Sequence, residues 1–199
     1  SFPMKGTRPR SNNLIIDERL ARALLNSKKD KAEHLMIVDL IRNDIGKICA
    51  YGSLKVEDLF GIQSFTTVHQ MVSKVSGKLK KEISEIDIIY ALFPGGSVTG
   101  APKERSMQII DSLENYSRDI YTGAIGSIWS NGNMDFNIAI RTMSINNNLC
   151  TYPVGGGIVW DSDPIEEWKE AQQKSKILTP FEYDSYRKTQ QFEFSLPIS

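Results

Sequence analysis

The sequence predicts an α+β fold with mostly antiparallel sheets, and a change of hydrophobic period along the chain carries this prediction. Over 28–41 the apolar side chains recur at three- and four-residue steps, which is the period of an α-helix. After Tyr121 the period becomes two, with Ile138 and Ile140 on one face of a predicted strand. Asn131-Gly132 is a turn sequence that typically joins antiparallel strands. Strands joined by hairpins, with helices elsewhere, favour α+β over a doubly wound parallel sheet.

The predicted elements follow from the residues that begin and end them. The predicted helices are 17–26, then 28–41 with Gly46 closing it, a helix opened by Pro102, and a last helix with Asp163 as N-cap and Pro164 at its first position. The predicted strands are 120–129, 133–145 and 149–153, which form an antiparallel meander, and a short apolar strand after Gly157.

Composition limits the class of protein. The chain has 199 residues, of which 40% are hydrophobic, and 24 Lys+Arg balance 24 Asp+Glu. The formal net charge of +0 argues against a nucleic-acid partner. Because no apolar run approaches the ~18–20 residues that cross a bilayer, and no signal peptide is recognisable, we expect a cytoplasmic protein without a membrane partner. Cys49 and Cys150 stand far apart and without nearby ligands, which argues against a disulfide framework and a zinc site.

Two glycine-rich segments are candidates for ligand binding. Gly95–Lys103 has the outer glycine spacing of a phosphate-binding loop but lacks the Lys-Ser/Thr pair that such loops need. Its amides suit a phosphate or a carboxylate, and a tight turn ahead of a helix explains it equally well. In Gly155–Gly157, three consecutive glycines indicate that a ligand or a neighbouring strand approaches the backbone closely.

Two acidic pairs share one spacing, Asp30 with Glu33 and Glu167 with Glu170. Three residues apart, the members of each pair lie on one face of a helix. Four such carboxylates brought together would suit Mg²⁺, which prefers oxygen ligands. An ordinary solvated face is the alternative, because Glu170 also stands four residues before Lys174.

Lys5 lies on a segment expected to be extended, between Met4 and Gly6. A lysine acts as a nucleophile only if its amine is partly neutral, and Arg8 and Arg10 are candidates for a neighbour that lowers its pKa. Arg141 is unusual within a predicted strand, where it needs a protein or ligand acid as partner.

Eight stretches, in this order along the chain, resemble the chorismate-utilising enzymes. They run from Phe2 to about Leu178 and read PMKGTRPR, DKAEHLMIVDLIRNDIGKI, TTVHQMVSKVSGKL, FPGGSVTGAPKERSMQII, YTGAIGSIW, NMDFNIAIRT, VGGGIVWDSDP and EEWKEAQQKSK. The resemblance implies part of a layered α/β/β/α sandwich. It makes 1–178 the C-terminal portion of a chorismate-binding domain whose N-terminal part is missing, with 179–199 as a tail or linker.

The resemblance also implies roles for individual residues. Glu33 and Glu170 match the family's Mg²⁺ ligands, while Asp30 and Glu167 match the acids that hold the metal's waters. The positions that match contacts to the carboxylates of chorismate, or that lie beside the ligand, are Ser97, Tyr121, Arg141, Gly155, Gly156, Gly157 and Lys174.

Lys5 is the position that discriminates within the family. A lysine there is typical of aminodeoxychorismate synthases, whereas anthranilate synthases have alanine. The implied reaction uses ammonia from a separate glutamine amidotransferase subunit and gives 4-amino-4-deoxychorismate. Gln70 stands where the family commonly has a histidine near the leaving hydroxyl, so the acid role there is left to water, the metal or another group. An anthranilate synthase and a non-catalytic chorismate-binding fragment are the alternatives.

Overall fold

The computed structural model of the protein describes residues 1–177. They fall into two compact units, of which the first is Ser1–Gln108 and the second begins at Ile109. Within these residues, none of the helices combines the length and apolar character that crossing a bilayer requires. The predicted tail 179–199 lies outside the described residues.

Helices and antiparallel strand pairs make up the described chain, so the predicted α+β class is confirmed. The elements in chain order are β1 Met4–Pro9, α1 Leu14–Asn26, α2 Lys28–Gly46, β2 Lys55–Ser64, β3 Val68–Ser76, α3 Glu85–Leu92, α4 Gly96–Thr99, α5 Lys103–Leu113, β4 Ala124–Ile128, β5 Met134–Ile138, β6 Ser144–Asn146, β7 Leu149–Thr151 and α6 Pro164–Ser175.

The first unit is built on a three-stranded antiparallel sheet in the order β1-β3-β2. Side chains alternate along β3, and its buried Met71, Ser73 and Val75 therefore share one face. The other fully buried side chains of this core come from α1, with Leu24, and from α2, with His34 and Val38. The core of the first unit thus lies between this face of the sheet and the two helices.

Polar caps fix where the first two helices begin. The Asn13 side chain accepts hydrogen bonds from the amides of Ile15 and Ile16 at the start of α1. Ser27 ends α1, and its hydroxyl accepts from the amide of Asp30 in the first turn of α2. Because Ser27 sets the start of α2 at Lys28, Asp30 and Glu33 lie at the amino-terminal end of this helix. The helix continues from the periodic segment 28–41 to Gly46, the residue that the sequence predicts to close it.

The second unit contains two separate hairpins, β4–β5 and β6–β7, instead of one continuous meander. The predicted strand 133–145 is wrong at its centre, because the strand ends at Ile138 and the chain bends before Ser144. Arg141 adopts a φ of 53° in this bend, a left-handed conformation outside the extended range of regular strand backbone. Arg141 is therefore an exposed bend residue and not the strand residue that the sequence predicts. The short strand predicted after Gly157 is not formed either.

The start of α6 agrees with the sequence. Asp163 is its N-cap and accepts from the amides of Ile165 and Glu166, while Pro164 is its first residue. The other helix that the sequence predicts to open with a proline is α5. It begins at Lys103, one residue after Pro102.

Candidate functional site

Lys5 of β1 and the amino-terminal end of α2 form one cluster of charged side chains. Lys5 Nζ lies 3.2 Å from Glu33 Oε2, and Lys29 Nζ lies 3.9 Å from Glu33 Oε1. The Lys5 and Glu33 side chains keep 38% and 28% of their surface exposed. The predicted nucleophile and one predicted metal ligand are thus direct neighbours that a ligand can reach.

Asp30 belongs to the same cluster and is held by Arg8, whose Nη2 lies 2.8 Å from Asp30 Oδ2. Gly6 follows Lys5 in β1 and has a φ of 83°. A Cβ there would lie 3.0 Å from Leu24 Cδ1 and 3.1 Å from Asp30 Oδ1. A glycine is therefore required where β1 passes α2.

His34 follows Glu33 but serves the core. Its Nε2 lies 2.7 Å from Ser73 Oγ, which also accepts a hydrogen bond from the amide of Phe60. The ring is fully buried, and this burial lowers the pKa of His34 below its usual 6.5. Neither ring nitrogen bonds to Glu33 within the described residues, so His34 supports the helix–sheet contact and not the carboxylate.

Gln70 and His69 point to opposite faces of β3, because successive side chains alternate along a strand. His69 faces the helices, where its Nε2 lies 3.0 Å from Asp17 Oδ1 and its Nδ1 lies 2.8 Å from Ser64 Oγ. Gln70 pairs in the sheet with Thr7 and Gln63, on the face that points away from α2. The structure therefore does not bring Gln70 into the cluster of Lys5 and Glu33.

Ser97 lies in α4, a single turn within the segment Gly95–Lys103, which we call the glycine loop. A buried side chain that sequence analysis missed, Asp44 of α2, accepts a 3.0 Å hydrogen bond from the Gly96 amide. Its other oxygen lies 2.9 Å from Lys103 Nζ. Gly100 has a φ of 125°, and a Cβ there would lie 2.7 Å from Ser106 Oγ. Both the backbone conformation and the lack of space therefore favour glycine at the end of this turn.

In the second unit, the glycine run 155–157 packs against α6 and Tyr121. Lys174 Nζ donates a 2.7 Å hydrogen bond to the Gly155 carbonyl, and a Cβ at Gly155 would lie 2.8 Å from the Tyr121 hydroxyl. A Cβ at Gly156 would lie 2.9 Å from Glu167 Oε2, whereas one at Gly157 would meet nothing within 4 Å. The close approach that the sequence predicts is thus made by neighbouring side chains, and six of the predicted residues meet here: Tyr121, Gly155, Gly156, Glu167, Glu170 and Lys174.

The acidic side chains of α6 have partners that orient them. Glu170 Oε1 lies 2.6 Å from Lys174 Nζ, and Glu167 Oε1 accepts a 2.7 Å hydrogen bond from the Ser162 hydroxyl. Ser162 also accepts from the Val159 amide, so it ties the turn before α6 to Glu167. Nothing in the sequence marks Ser162 beyond its place before the Asp163 cap.

Tyr121 is affected electrostatically by Arg141. Burial raises the pKa of Tyr121 above its usual 10, while Arg118 and Arg141 act in the opposite direction. Arg141 thus acts on the environment of Tyr121 although it is not in a strand.

The two carboxylate pairs can be assessed as metal ligands. Among residues 1–177, no group of three or more His, Cys, Asp and Glu side chains lies together in an arrangement that could hold an ion. Each unit instead supplies one pair, Asp30 with Glu33 and Glu167 with Glu170, and each pair is accompanied by cations or hydroxyl donors. The donor chemistry, all carboxylate oxygen, fits Mg²⁺.

Comparison with known proteins defines the class to which this α+β chain belongs. A family model described as chorismate binding enzyme matches residues 1–180. Anthranilate synthase component 1 of Saccharolobus solfataricus is 47% identical over 178 residues, which are 89% of this chain and 42% of that protein. Aminodeoxychorismate synthase component 1 of Salmonella typhimurium is 46% identical over 181 residues, 90% of this chain and 40% of that protein.

A solved structure gives the same result for the fold. The crystal structure of anthranilate synthase component I from Streptococcus pneumoniae matches with a TM-score of 0.73 and 37% identity, covering 89% of this chain and 42% of that one. The chain belongs to the chorismate binding enzyme family. It spans about two fifths of the length of the two relatives above.

Proposed function

We propose that this chain is the chorismate-binding portion of an aminodeoxychorismate synthase component I, a cytoplasmic enzyme that converts chorismate and ammonia to 4-amino-4-deoxychorismate. The contact between Lys5 and Glu33, 3.2 Å apart, is the observation that carries this proposal. It supports a role for Lys5 in the reaction because it places the Lys5 amine at an accessible position, beside a second residue predicted to take part. The aminodeoxychorismate synthases among the relatives, 46% identical in the Salmonella protein, support it further.

The proposed reaction has two substitutions. The neutral Lys5 amine forms a bond to C2 of chorismate, both ring double bonds shift, and the C4–O bond breaks. The amine loses one proton and the C4 hydroxyl takes up one, so that the hydroxyl leaves as water. Ammonia then forms a bond to C4, both double bonds shift back, and the C2–N bond breaks. One proton passes from the new C4 amine to the Lys5 nitrogen, which returns the Lys5 amine. A covalent intermediate of this kind divides one difficult substitution into two easier ones.

The remaining residues would bind and orient chorismate. Ser97, Arg141 and the glycine run 155–157 are proposed to contact its carboxylates, with Tyr121 and Lys174 beside it. Glu33 and Glu170 would hold Mg²⁺ directly, and Asp30 and Glu167 would hold its waters. A bound Mg²⁺ would stabilise the negative charge that develops on the leaving oxygen.

A partner is part of the proposal. We propose that ammonia comes from a separate glutamine amidotransferase subunit. The designation component 1, which both the Salmonella and the Saccharolobus relatives carry, supports a partner component.

Anthranilate synthesis is the second candidate, and a specific observation favours it. The Saccharolobus anthranilate synthase component 1 is 47% identical over 178 residues, as similar as the aminodeoxychorismate synthases. The product distinguishes the two reactions. A chain that binds chorismate without converting it is the third candidate, which calorimetry with chorismate and Mg²⁺ would reveal as binding without turnover.

The product assay tests the proposal directly. The full-length protein that contains this chain is incubated with chorismate, ammonia and Mg²⁺, and the products are separated by chromatography. We expect aminodeoxychorismate, whereas anthranilate as the product would exclude the proposed reaction.

A pair of lysine variants tests the covalent step. Lys5→Ala should lower kcat by at least about a hundredfold, because it removes the nucleophile. Lys29→Ala is the matched control, since Lys29 also contacts Glu33 but is 88% exposed and 3.9 Å away. Unchanged aminodeoxychorismate formation by Lys5→Ala would remove the lysine step from the mechanism.

A further inference from the structure

Asp44 is a buried acid at the carboxyl-terminal end of α2, and it has three polar partners. Its Oδ2 accepts the 3.0 Å hydrogen bond from the Gly96 amide, and its Oδ1 lies 2.9 Å from Lys103 Nζ and 3.1 Å from Lys47 Nζ. Only 7% of the side chain is exposed. Burial of a charge is costly unless it is paired and hydrogen-bonded, and Asp44 meets both conditions.

Helix stability alone does not account for this pair of charges. A negative charge at the carboxyl-terminal end of a helix and a positive charge at an amino-terminal end both oppose the helix dipole. Asp44 stands in the last turn of α2, and Lys103 is the first residue of α5. Each charge is unfavourable for its own helix, and the ion pair offsets both. What the pair does achieve is a link between α2 and the segment that precedes α5.

The two contacts of Asp44 enclose Ser97 along the chain. Gly96 immediately precedes Ser97, and Lys103 ends the glycine loop. The backbone approaches α2 closely here, because a Cβ at Gly96 would lie 3.1 Å from Asp44 Oδ2 and 3.5 Å from Leu40 Cβ. A single carboxylate therefore holds the loop at two points, one on each side of Ser97.

The same helix carries Asp30 and Glu33 near its other end. At a rise of ~1.5 Å per residue, the eleven residues from Glu33 to Asp44 correspond to about 16 Å along the axis. Because Asp44 and Glu33 lie on the same helix, the contacts that hold the glycine loop to Asp44 also fix the distance of the loop from the cluster of Lys5 and Glu33.

From these contacts we propose that Asp44 is a positioning residue that fixes the glycine loop, and with it Ser97, relative to α2. The inference rests on the proposed function insofar as Ser97 is expected to contact chorismate. Asp44 itself touches the loop and not the substrate. Losing the link frees Ser97 to move, so substrate binding weakens while the Lys5 chemistry is retained.

The test compares Asp44→Asn with Lys47→Ala in the full-length protein. The asparagine side chain would keep an oxygen for the Gly96 amide but lose the charge that pairs with Lys103. Lys47→Ala is the matched control, because Lys47 contacts the same carboxylate from three residues along the chain, at the end of α2 and outside the loop. Amide hydrogen exchange over 95–103 is measured without chorismate, and KM and kcat are measured with it.

We expect Asp44→Asn to speed loop exchange and to raise the KM for chorismate by about tenfold each, with kcat changed less than about twofold. Lys47→Ala should leave all three at their starting values. Should Asp44→Asn fail to fold, Lys103→Met removes the same ion pair from the loop side and should give the same pattern.

Loop exchange that is unchanged in Asp44→Asn, or that rises equally throughout 1–108, would overturn the inference. The second result would mean that Asp44 supports the whole unit and not the loop. If the full-length protein converts no chorismate, the proposed function fails, while the exchange measurement still decides whether Asp44 holds the loop.

Discussion

At the residue scale, Asp17 is the centre of a polar network that ties the end of β1 to α1 and to the β2–β3 hairpin. It accepts hydrogen bonds from the Arg10 guanidinium at 2.9 Å and from the Ser11 amide, and His69 Nε2 lies 3.0 Å away. The His69 proton therefore points at Asp17, and Nδ1 accepts from the Ser64 hydroxyl when the ring is neutral. These donors favour the charged carboxylate, and they hold the pKa of Asp17 well below its usual 3.8.

This lowered pKa predicts how stability depends on pH. The unfolded chain takes up a proton at Asp17 near pH 3.8, while the folded chain does so only at lower pH. The contribution of Asp17 is therefore complete above about pH 4 and is lost as the pH falls towards the native pKa. In chemical denaturation of the full-length protein, we expect Asp17→Asn to be less stable at pH 7 and to lose less stability between pH 5 and pH 3, about a unit on either side of about pH 4.

Asp39→Asn is the control for this measurement. Asp39 pairs with Arg42 on the surface of α2, and its side chain is 57% exposed. Its removal should leave the acid dependence unchanged. Equal slopes for the two variants would show that the Asp17 network does not set the acid sensitivity.

At the scale of elements, the glycine run 155–157 packs against α6, and the space for an added methyl group differs between neighbouring positions. Gly156→Ala would place its Cβ 2.9 Å from Glu167 Oε2, so the Glu167 side chain must move and its bond from Ser162 is strained or lost. At Gly157 a Cβ meets nothing within 4 Å.

Mg²⁺ titration of the full-length protein by calorimetry tests this difference. Gly156→Ala should weaken Mg²⁺ binding by about tenfold, because it displaces Glu167, which is proposed to hold the metal's waters, and loss of such a supporting group usually costs about that much. Gly157→Ala should bind Mg²⁺ as the unaltered protein does. Equal Mg²⁺ affinity in both variants would argue against a role for Glu167 at the metal.

Elements whose signals are local could be predicted from the sequence, and contacts between distant residues could not. Asp163 and Pro164 mark the start of α6 with their own side chains, and the structure confirms both. The bend at Arg141 was missed because a non-glycine residue at positive φ leaves no mark in an alternating pattern. Asp44 was missed because its partner Gly96 is 52 residues away.

The candidate site shows the same division. The resemblance named Glu33 and Lys5, and the structure shows them in contact. It also named Gln70, which the alternation of β3 directs to the face away from α2. Spacing in the sequence could not show this, because the register that places Gln70 depends on Thr7 and Gln63 of two other strands.

At the scale of the whole molecule, the second unit leaves large apolar side chains uncovered. Ile125 and Ile128 of β4 are 52% and 51% exposed, and their spacing of three residues puts them on opposite faces of the hairpin. Trp129 and Phe136 are exposed beside them. A two-stranded hairpin is marginally stable by itself, so both faces of β4–β5 need cover.

We therefore expect the 199-residue chain alone to associate with itself. Sedimentation velocity over a range of concentrations should show species larger than 22.4 kDa, because exposed apolar faces and strand edges pair with further copies. The full-length protein is the control and should show less association at equal concentration. A monomer across the whole range would contradict the expectation.

The helix α2 also restricts how this protein can change in evolution. One residue inserted between Glu33 and Asp44 would turn one end of the helix against the other by about 100° and lengthen it by ~1.5 Å. The acid at one end would then miss the glycine loop, or the acids at the other would miss β1. Substitutions at exposed positions such as Asp39 and Arg42 do not change the rotation of one end of the helix relative to the other. In this stretch, we therefore expect a change in the number of residues to be tolerated less well than a change in the identity of those facing solvent.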